Sequence, residues 1–193
     1  MARSKLRTRD VLSLPVVLAI AALASGGCSG KDPYRPGESI GIFHVTGKLI
    51  ATSCGATPDP WEFDVRLRHD STTLYWVQGD APISAILDAT AKAVLTSTAT
   101  LTARAVSAND PGCTMARTDT VELVLAPMAA PVTVSAATEV TSAKSFTGSL
   151  KYHFEASGGS LCDDQLTDNG GQYAALPCDV QYELGATRTG DAK

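Results

Sequence analysis

The residues able to do chemistry are few and scattered. Three histidines, His44, His69 and His153, stand far apart in the chain, at no spacing that would set two of them on one metal ion. The alternation around His44 and His153 places them on outward faces of strands, and His69 falls at a turn. All three read as solvated side chains. The densest set of hard oxygen donors is Asp163-Asp164 followed by Asp168-Asn169-Gly170-Gly171. Calcium takes carboxylate and carbonyl oxygens of this kind, but the alternating ligand spacing of an EF-hand loop is missing. Asp163, Asp164 and Asp168 are therefore weak calcium candidates beside a simpler reading, a polar loop whose glycines supply positive φ. No GxSxG, HExxH, P-loop or GxGxxG occurs, and Ser160 has no histidine near it in sequence. The sequence nominates no catalytic residue, no metal ligand set and no cofactor. Trp61, Tyr75 and Trp76 are candidates for lining a ligand pocket in a barrel mouth, although aromatic residues in such positions more commonly fill a core.

Cysteine is the remaining reactive type, with five in the chain. Cys28 follows a leader and is treated with it below. Cys54, Cys113, Cys162 and Cys178 contain no CxxC, so neither a thioredoxin-like redox motif nor a zinc ribbon is indicated. Four cysteines in an exported domain read as two disulfides with three possible connectivities. The preferred pairing is Cys162–Cys178, which closes a local Gly/Asp-rich loop, with Cys54–Cys113 left by elimination.

The elements that carry these residues have a period of two. Trp61, Phe63, Val65 and Leu67 alternate with Glu62, Asp64, Arg66 and Arg68, the pattern of a half-buried strand. Phe43, Val45, Gly47, Leu49 and Ala51 form an earlier strand of the same kind, and residues 73–78 a returning one after a turn at 69–72. Residues 83–106 fit a helix at first, but the alternating Thr96, Thr98, Thr100 and Thr102 fill strands well and helices poorly. Strands are expected at 83–88 and 92–106. Asn109-Asp110-Pro111-Gly112 marks a turn, residues 114–126 the next strand, Pro127 and Pro131 a bend, and residues 132–141 a weaker strand. Phe146, Gly148, Leu150, Tyr152 and Phe154 form the clearest strand, and residues 179–188 close the domain. The fold class is all-β: antiparallel, eight to nine strands, an up-and-down barrel, with a two-sheet β-sandwich as the alternative.

The first residues give an address. Arg3, Lys5, Arg7 and Arg9 precede an apolar run from Val11 to Ala24, and small residues then lead to Cys28. This is the layout of a signal peptide, residues 1–27, and its run is short for a membrane span. The stretch LASGGCSG resembles a bacterial lipobox, with Ser25 where a leucine is usual. The resemblance implies a diacylglyceryl and acyl (palmitate-type) anchor on Cys28 and, with Ser29 following, sorting to the outer membrane. Residues 28–38 read as a lipidated cysteine and an extended tether rich in Pro and Gly, residues 39–188 as the β domain and 189–193 as a tail.

Composition agrees. The chain has 193 residues, of which 44% are hydrophobic and 19% charged, with a net charge of −4. One domain with a packed core fits these figures. The leader holds four basic residues and one acidic one, so its removal takes the −4 to −7. An acidic surface argues against nucleic acid as a partner, and a basic patch is not what would hold the chain to a membrane.

The lipobox together with FHVTGKLIATSCG, WEFDVRLR, LYW, FTGSLKYHFEAS, CDDQL and LPCDVQYEL resembles uncharacterised small outer-membrane lipoproteins of the myxobacterial type. The resemblance covers nearly all of the chain after the leader and implies an exported outer-membrane lipoprotein, at the periplasmic face or the cell surface. It adds no site. The expected role is a non-enzymatic, lipid-anchored module that binds an envelope protein, a glycan or a small apolar ligand. The alternatives are a calyx-type carrier of a small apolar ligand and an envelope hydrolase whose site assembles only in space.

Overall fold

The computed structural model describes residues 35–79 and 81–191. The proposed leader and Cys28 lie outside the described residues. The strands are β1 (Glu38–Thr52), β2 (Trp61–Asp70), β3 (Thr73–Val77), β4 (Ile83–Ile86), β5 (Lys92–Arg104), β6 (Cys113–Pro127), β7 (Val132–Val134), β8 (Ala137–Glu139), β9 (Ala143–Ala156) and β10 (Cys178–Gly190). The fold is all-β. Eight strands form one antiparallel sheet in the order β4-β3-β2-β1-β10-β9-β6-β5, and β7 and β8 form a separate hairpin. Except for β4 and β5, each strand of the large sheet pairs with its neighbour in sequence, with β7–β8 inserted between β6 and β9, and β10 returns to β1. This is an up-and-down barrel, nearly closed: its edges β4 and β5 share the turn at residues 87–91, where the Asp88 N–H donates to the Lys92 carbonyl at 2.9 Å.

Alternation explains the core. Phe43 and Val45 of β1, Val65 and Leu67 of β2, Leu74 and Trp76 of β3, and Ala93 and Leu95 of β5 all point inward and are buried. So do Val121, Leu123 and Leu125 of β6, Phe146 and Leu150 of β9, and Val180, Tyr182 and Leu184 of β10. Gly148 sits among the inward positions of β9, where an added Cβ would lie 2.0 Å from the Glu122 carbonyl oxygen. Only glycine lets β6 and β9 approach this closely.

The barrel has two unlike ends. The chain enters at one, which also holds the β2–β3 and β4–β5 turns, the β7–β8 hairpin and the end of β10. We term it the closed end. The opposite end carries the β1–β2, β3–β4, β5–β6 and β9–β10 loops, and both disulfides. The β9–β10 loop contains two single-turn 3-10 segments, Asp163–Gln165 and Thr167–Asn169. Among the described residues no helix is long and apolar enough to cross a membrane.

The disulfides are Cys54–Cys178 and Cys113–Cys162, with Cα–Cα distances of 5.0 and 4.9 Å. This corrects the expected pairing of Cys162 with Cys178 and Cys54 with Cys113. Sheet order decides the matter. β1 pairs with β10 to the register Thr52↔Val180, which brings Cys54 against Cys178. The Leu161 N–H donates to the Gly112 carbonyl at 3.0 Å, which brings the β9–β10 loop, with Cys162, to the start of β6. β1 and β6 stand three strand spacings apart, about 14 Å, well beyond the span of a disulfide. Two disulfides fit an extracellular or periplasmic protein.

Two further details differ from the expectation. Residues 132–141 form two short strands, because Ser135 adopts a positive φ of 59° and turns the chain. His69 is not a solvated turn residue: it is the inward residue at the end of β2, only 4% exposed.

Candidate functional site

The open end is hollowed by three features of the sequence. β3 stops at Val77 and β4 begins only at Ile83, so the wall is low on that side. On β5 the inward positions beyond Leu95 are Ser97, Ala99 and Leu101, and Ala99 is exposed. Small side chains there leave the interior unfilled. The other walls carry large rings instead: Trp61 and Phe63 on β2, Tyr152 and Phe154 on β9, and Tyr182 on β10, joined by Tyr173 from the β9–β10 loop.

These rings touch in series. The Trp61 ring centroid lies 4.4 Å from Phe63, 5.4 Å from Tyr182 and 5.7 Å from Tyr152. Tyr152 neighbours Phe154 at 6.3 Å, and Phe154 neighbours Tyr173 at 5.4 Å. Tilted and edge contacts at these separations are the favourable ones for aromatic pairs. Trp61, Tyr152, Phe154, Tyr173 and Tyr182 line a recess of about 280 Å³, overhung by residues 56–58 and Gln172. The Tyr182 hydroxyl donates to the Pro58 carbonyl at 3.1 Å, which fixes both the ring and the overhang. The Leu49 N–H donates to Asp59 at 3.1 Å, and Cys54, bridged to Cys178, forms part of the lining. Below, Phe63 meets Trp76 at 6.1 Å and Trp76 meets Phe146 at 5.8 Å. The aromatic packing therefore continues from Trp61 of the recess into the core.

One ion pair interrupts this apolar interior. Arg117 and Asp119 occupy inward positions of β6, and the guanidinium donates twice to the carboxylate, at 2.8 Å each. The same guanidinium stands 5.3 Å from the Tyr152 ring centroid, a cation–π contact. Burial pushes the Asp119 carboxyl above the usual carboxylate range, and Arg117 pulls against that shift. Burial, and then the charge of Asp119, push the Tyr152 phenol far above its ordinary value, so its hydroxyl stays protonated. A half-buried charge pair costs desolvation and adds little stability. Polar groups convergent on an apolar recess are a mark of binding sites.

The residues named from sequence are distributed as follows. Trp61 lines the recess. Trp76 is buried in the core, one ring further in through Phe63. Tyr75 alternates with Leu74 and Trp76 and lies on the outer face of β3, so it does not join them. His44 and His153 sit on the outer face, with Asp64 and Asp179 at 2.9 and 2.8 Å from their Nδ1 atoms. His69 is at the closed end, its Nδ1 3.7 Å from Glu139. The three histidines and the acidic loop do not converge. Asp164 is taken by Arg104 at 2.6 Å; the Gln165 side-chain hydrogen bond, and then Arg104, hold its carboxyl below the usual range. Among the described residues no three His, Cys, Asp or Glu side chains are grouped to hold a metal, so Asp163, Asp164 and Asp168 form no calcium cage. Sequence reasoning missed Tyr152, Phe154, Tyr173, Tyr182, Arg117 and Asp119 as a set. The available signal was a charged pair at the inward parity of β6. Comparison with known proteins finds no matching family model, no matching curated protein and no matching solved structure, so the site stands on its geometry.

Proposed function

We propose that this chain is a non-enzymatic binding module of the cell envelope, anchored through lipid on Cys28, whose open end takes a small ligand with a flat apolar face and hydroxyl groups, such as a saccharide unit of an envelope glycan. The observation that carries the reading is the half-open recess of touching aromatic rings, Trp61, Tyr152, Phe154, Tyr173 and Tyr182. Rings offer the C–H face of a sugar a broad apolar surface. Tyrosine hydroxyls and Gln172 supply hydrogen bonds at the rim, and Arg117 and Asp119 lie just beyond Tyr152. A recess of about 280 Å³ is near the small end for ligand sites, about 300–1,000 Å³. At about 280 Å³ and open to solvent, the recess suits a flat ring better than a long acyl chain, which sets this reading ahead of the carrier of small apolar ligands. The exported setting is supported by the two disulfides, and the outer-membrane address by the lipobox alone.

The test uses tryptophan fluorescence, since Trp61 lines the recess and Trp76 lies one ring further in through Phe63. Titration with N-acetylglucosamine oligomers should give a saturable change that Trp61→Ala removes. Titration with a medium-chain fatty acid should not saturate. The opposite pattern would favour the carrier. Turnover of a glycan, abolished by one substitution in the recess, would overturn the non-enzymatic reading.

A further inference from the structure

The closed end carries a surface that the fold does not use. Residues 128–136 are all exposed, and seven of these nine are apolar. Met128 is 60% exposed, Val132 60% and Val134 51%. No charged residue occurs between Glu122 and Glu139. The base of this projection is rigid. The Thr138 N–H donates to the Leu87 carbonyl at 3.0 Å, and the Met128 N–H to the Ser142 carbonyl at 3.0 Å. Thr138 and Val140 are buried, at 0% and 1% exposure. The fold thus holds out an apolar β-hairpin tip that it does not cover. Contiguous exposed apolar surface of this kind marks a protein or membrane contact.

The chain itself says which. The described residues begin at Arg35, and Arg35 and Glu139 of β8 line the same recess of about 480 Å³ at the closed end. Arg68 holds the entering segment there by donating to the carbonyls of Pro36 and Gly37 at 2.9 and 2.7 Å. From Cys28 to Arg35 is seven residues, at most about 25 Å of extended chain. Fifteen-residue strands such as β1 run about 50 Å. A lipid on Cys28 therefore keeps the closed end beside the bilayer and leaves the aromatic recess at the end held away from it. The charges near the hairpin, Arg35, Lys144 and Arg188 against Glu38, Asp70 and Glu139, are of both signs. The contact they permit is apolar rather than electrostatic.

We propose that the tip at residues 129–136 rests in the lipid interface, with Val132 and Val134 among the acyl-chain ends, and that it orients the barrel with its open end away from the membrane. The inference rests on the lipid anchor proposed above. The test takes the full chain, expressed with its leader and reconstituted into phosphatidylethanolamine–phosphatidylglycerol vesicles with brominated acyl chains. Mass spectrometry of the same sample reads Cys28. In Val132→Trp the introduced indole should be quenched at least twofold more than the native tryptophans. Hydrogen exchange of residues 129–136 should slow about tenfold in vesicles relative to the soluble Cys28→Ala chain, and Val132→Asp/Val134→Asp should abolish that slowing. An acylated chain with an unquenched indole and unchanged exchange overturns the inference and leaves the anchor standing. A free Cys28 thiol overturns both. Self-association that depends on Val132 and Val134, without quenching, assigns the tip to a second copy and also overturns the inference.

Discussion

The two ends of this barrel are held together by different physics. At the closed end Phe43, Phe146, Leu67, Leu74, Leu87, Leu95 and Leu123 are at most 1% exposed, and beneath a polar recess at its rim the interior is filled as a protein core is filled. At the open end Trp61, Phe63, Tyr152 and Phe154 are only half-buried, and the interior is a recess. Both disulfides are at the open end. Arg104 adds to them: it pairs with Asp110 at 2.8 Å and Asp164 at 2.6 Å, and donates to the Leu161 carbonyl at 2.8 Å. The contrast teaches that a hollow must be held by something other than packing. An end that keeps a cavity forgoes burial energy, and covalent and ionic links take over that role.

The largest test of this contrast is removal of a disulfide. Replacing Cys54 and Cys178 by serine should cost about 5 kcal/mol, and replacing Cys113 and Cys162 about 4 kcal/mol, in the chain-entropy account of loop closure. Urea denaturation measures the loss. Hydrogen exchange should show residues 53–60 and 157–177 losing protection first, while residues 40–45 and 143–150 keep theirs. Loss in step at both ends would erase the distinction.

Phe43→Ala should act in the opposite place, costing about 3–5 kcal/mol as a large core truncation while leaving binding at the recess unchanged. Trp61→Ala should cost no more than about 2 kcal/mol, since the ring is half-exposed, and should remove binding. Thermal melts and the fluorescence titration together score both variants. Equal destabilisation by the two would deny that one end is filled and the other hollow.

The smallest effects concern two carboxylates on opposite faces. Asp119 faces inward and its folded pKa is raised by burial. Its protonated form therefore favours the fold. That contribution is present below the unfolded value, about 3.9, and is lost as pH rises through the folded value. Asp119→Asn should flatten this slope, and Arg117→Met should steepen it by leaving the carboxylate unpaired. Asp179 faces outward, and the His153 hydrogen bond and Lys151 lower its pKa. Its contribution is present above about 3.9 and is lost as pH falls through the folded value. Because Asp179 is nearly half-exposed, Asp179→Asn should change stability by less than about 0.5 kcal/mol. Melts at pH 3, 4.5 and 7 read both slopes, which should have opposite signs.

Much of the barrel was legible because a half-buried strand writes its own parity. The strands at 61–70, 113–127, 143–156 and 178–190 match their alternating apolar runs, and the turn at 109–112 follows from Asn-Asp-Pro-Gly. The recess was less legible. Trp61 was a candidate on chemistry, but Tyr75 stands next to Trp76 in sequence and points the other way, because neighbouring side chains alternate across a sheet. His69 looked like a turn residue because Asp70, Ser71 and Thr72 follow it. The strand runs one residue further than that polar cluster suggests, and parity turns the ring inward.

What the sequence determined by itself was local: which residues form strands, which face each residue takes, and that four cysteines suit an exported domain. These follow from period-two patterning, turn chemistry and composition, none of which needs a partner strand. Tertiary structure alone decided the rest. Pairing of the first strand with the last set the disulfides, since a covalent bond needs ends within a few ångströms. The nearly closed circle of strands gathered rings from β2, β9 and β10 around one recess. The short β3 and β4 and the small residues of β5 left that recess open. These are properties of neighbours far apart in the chain, and no local pattern records them.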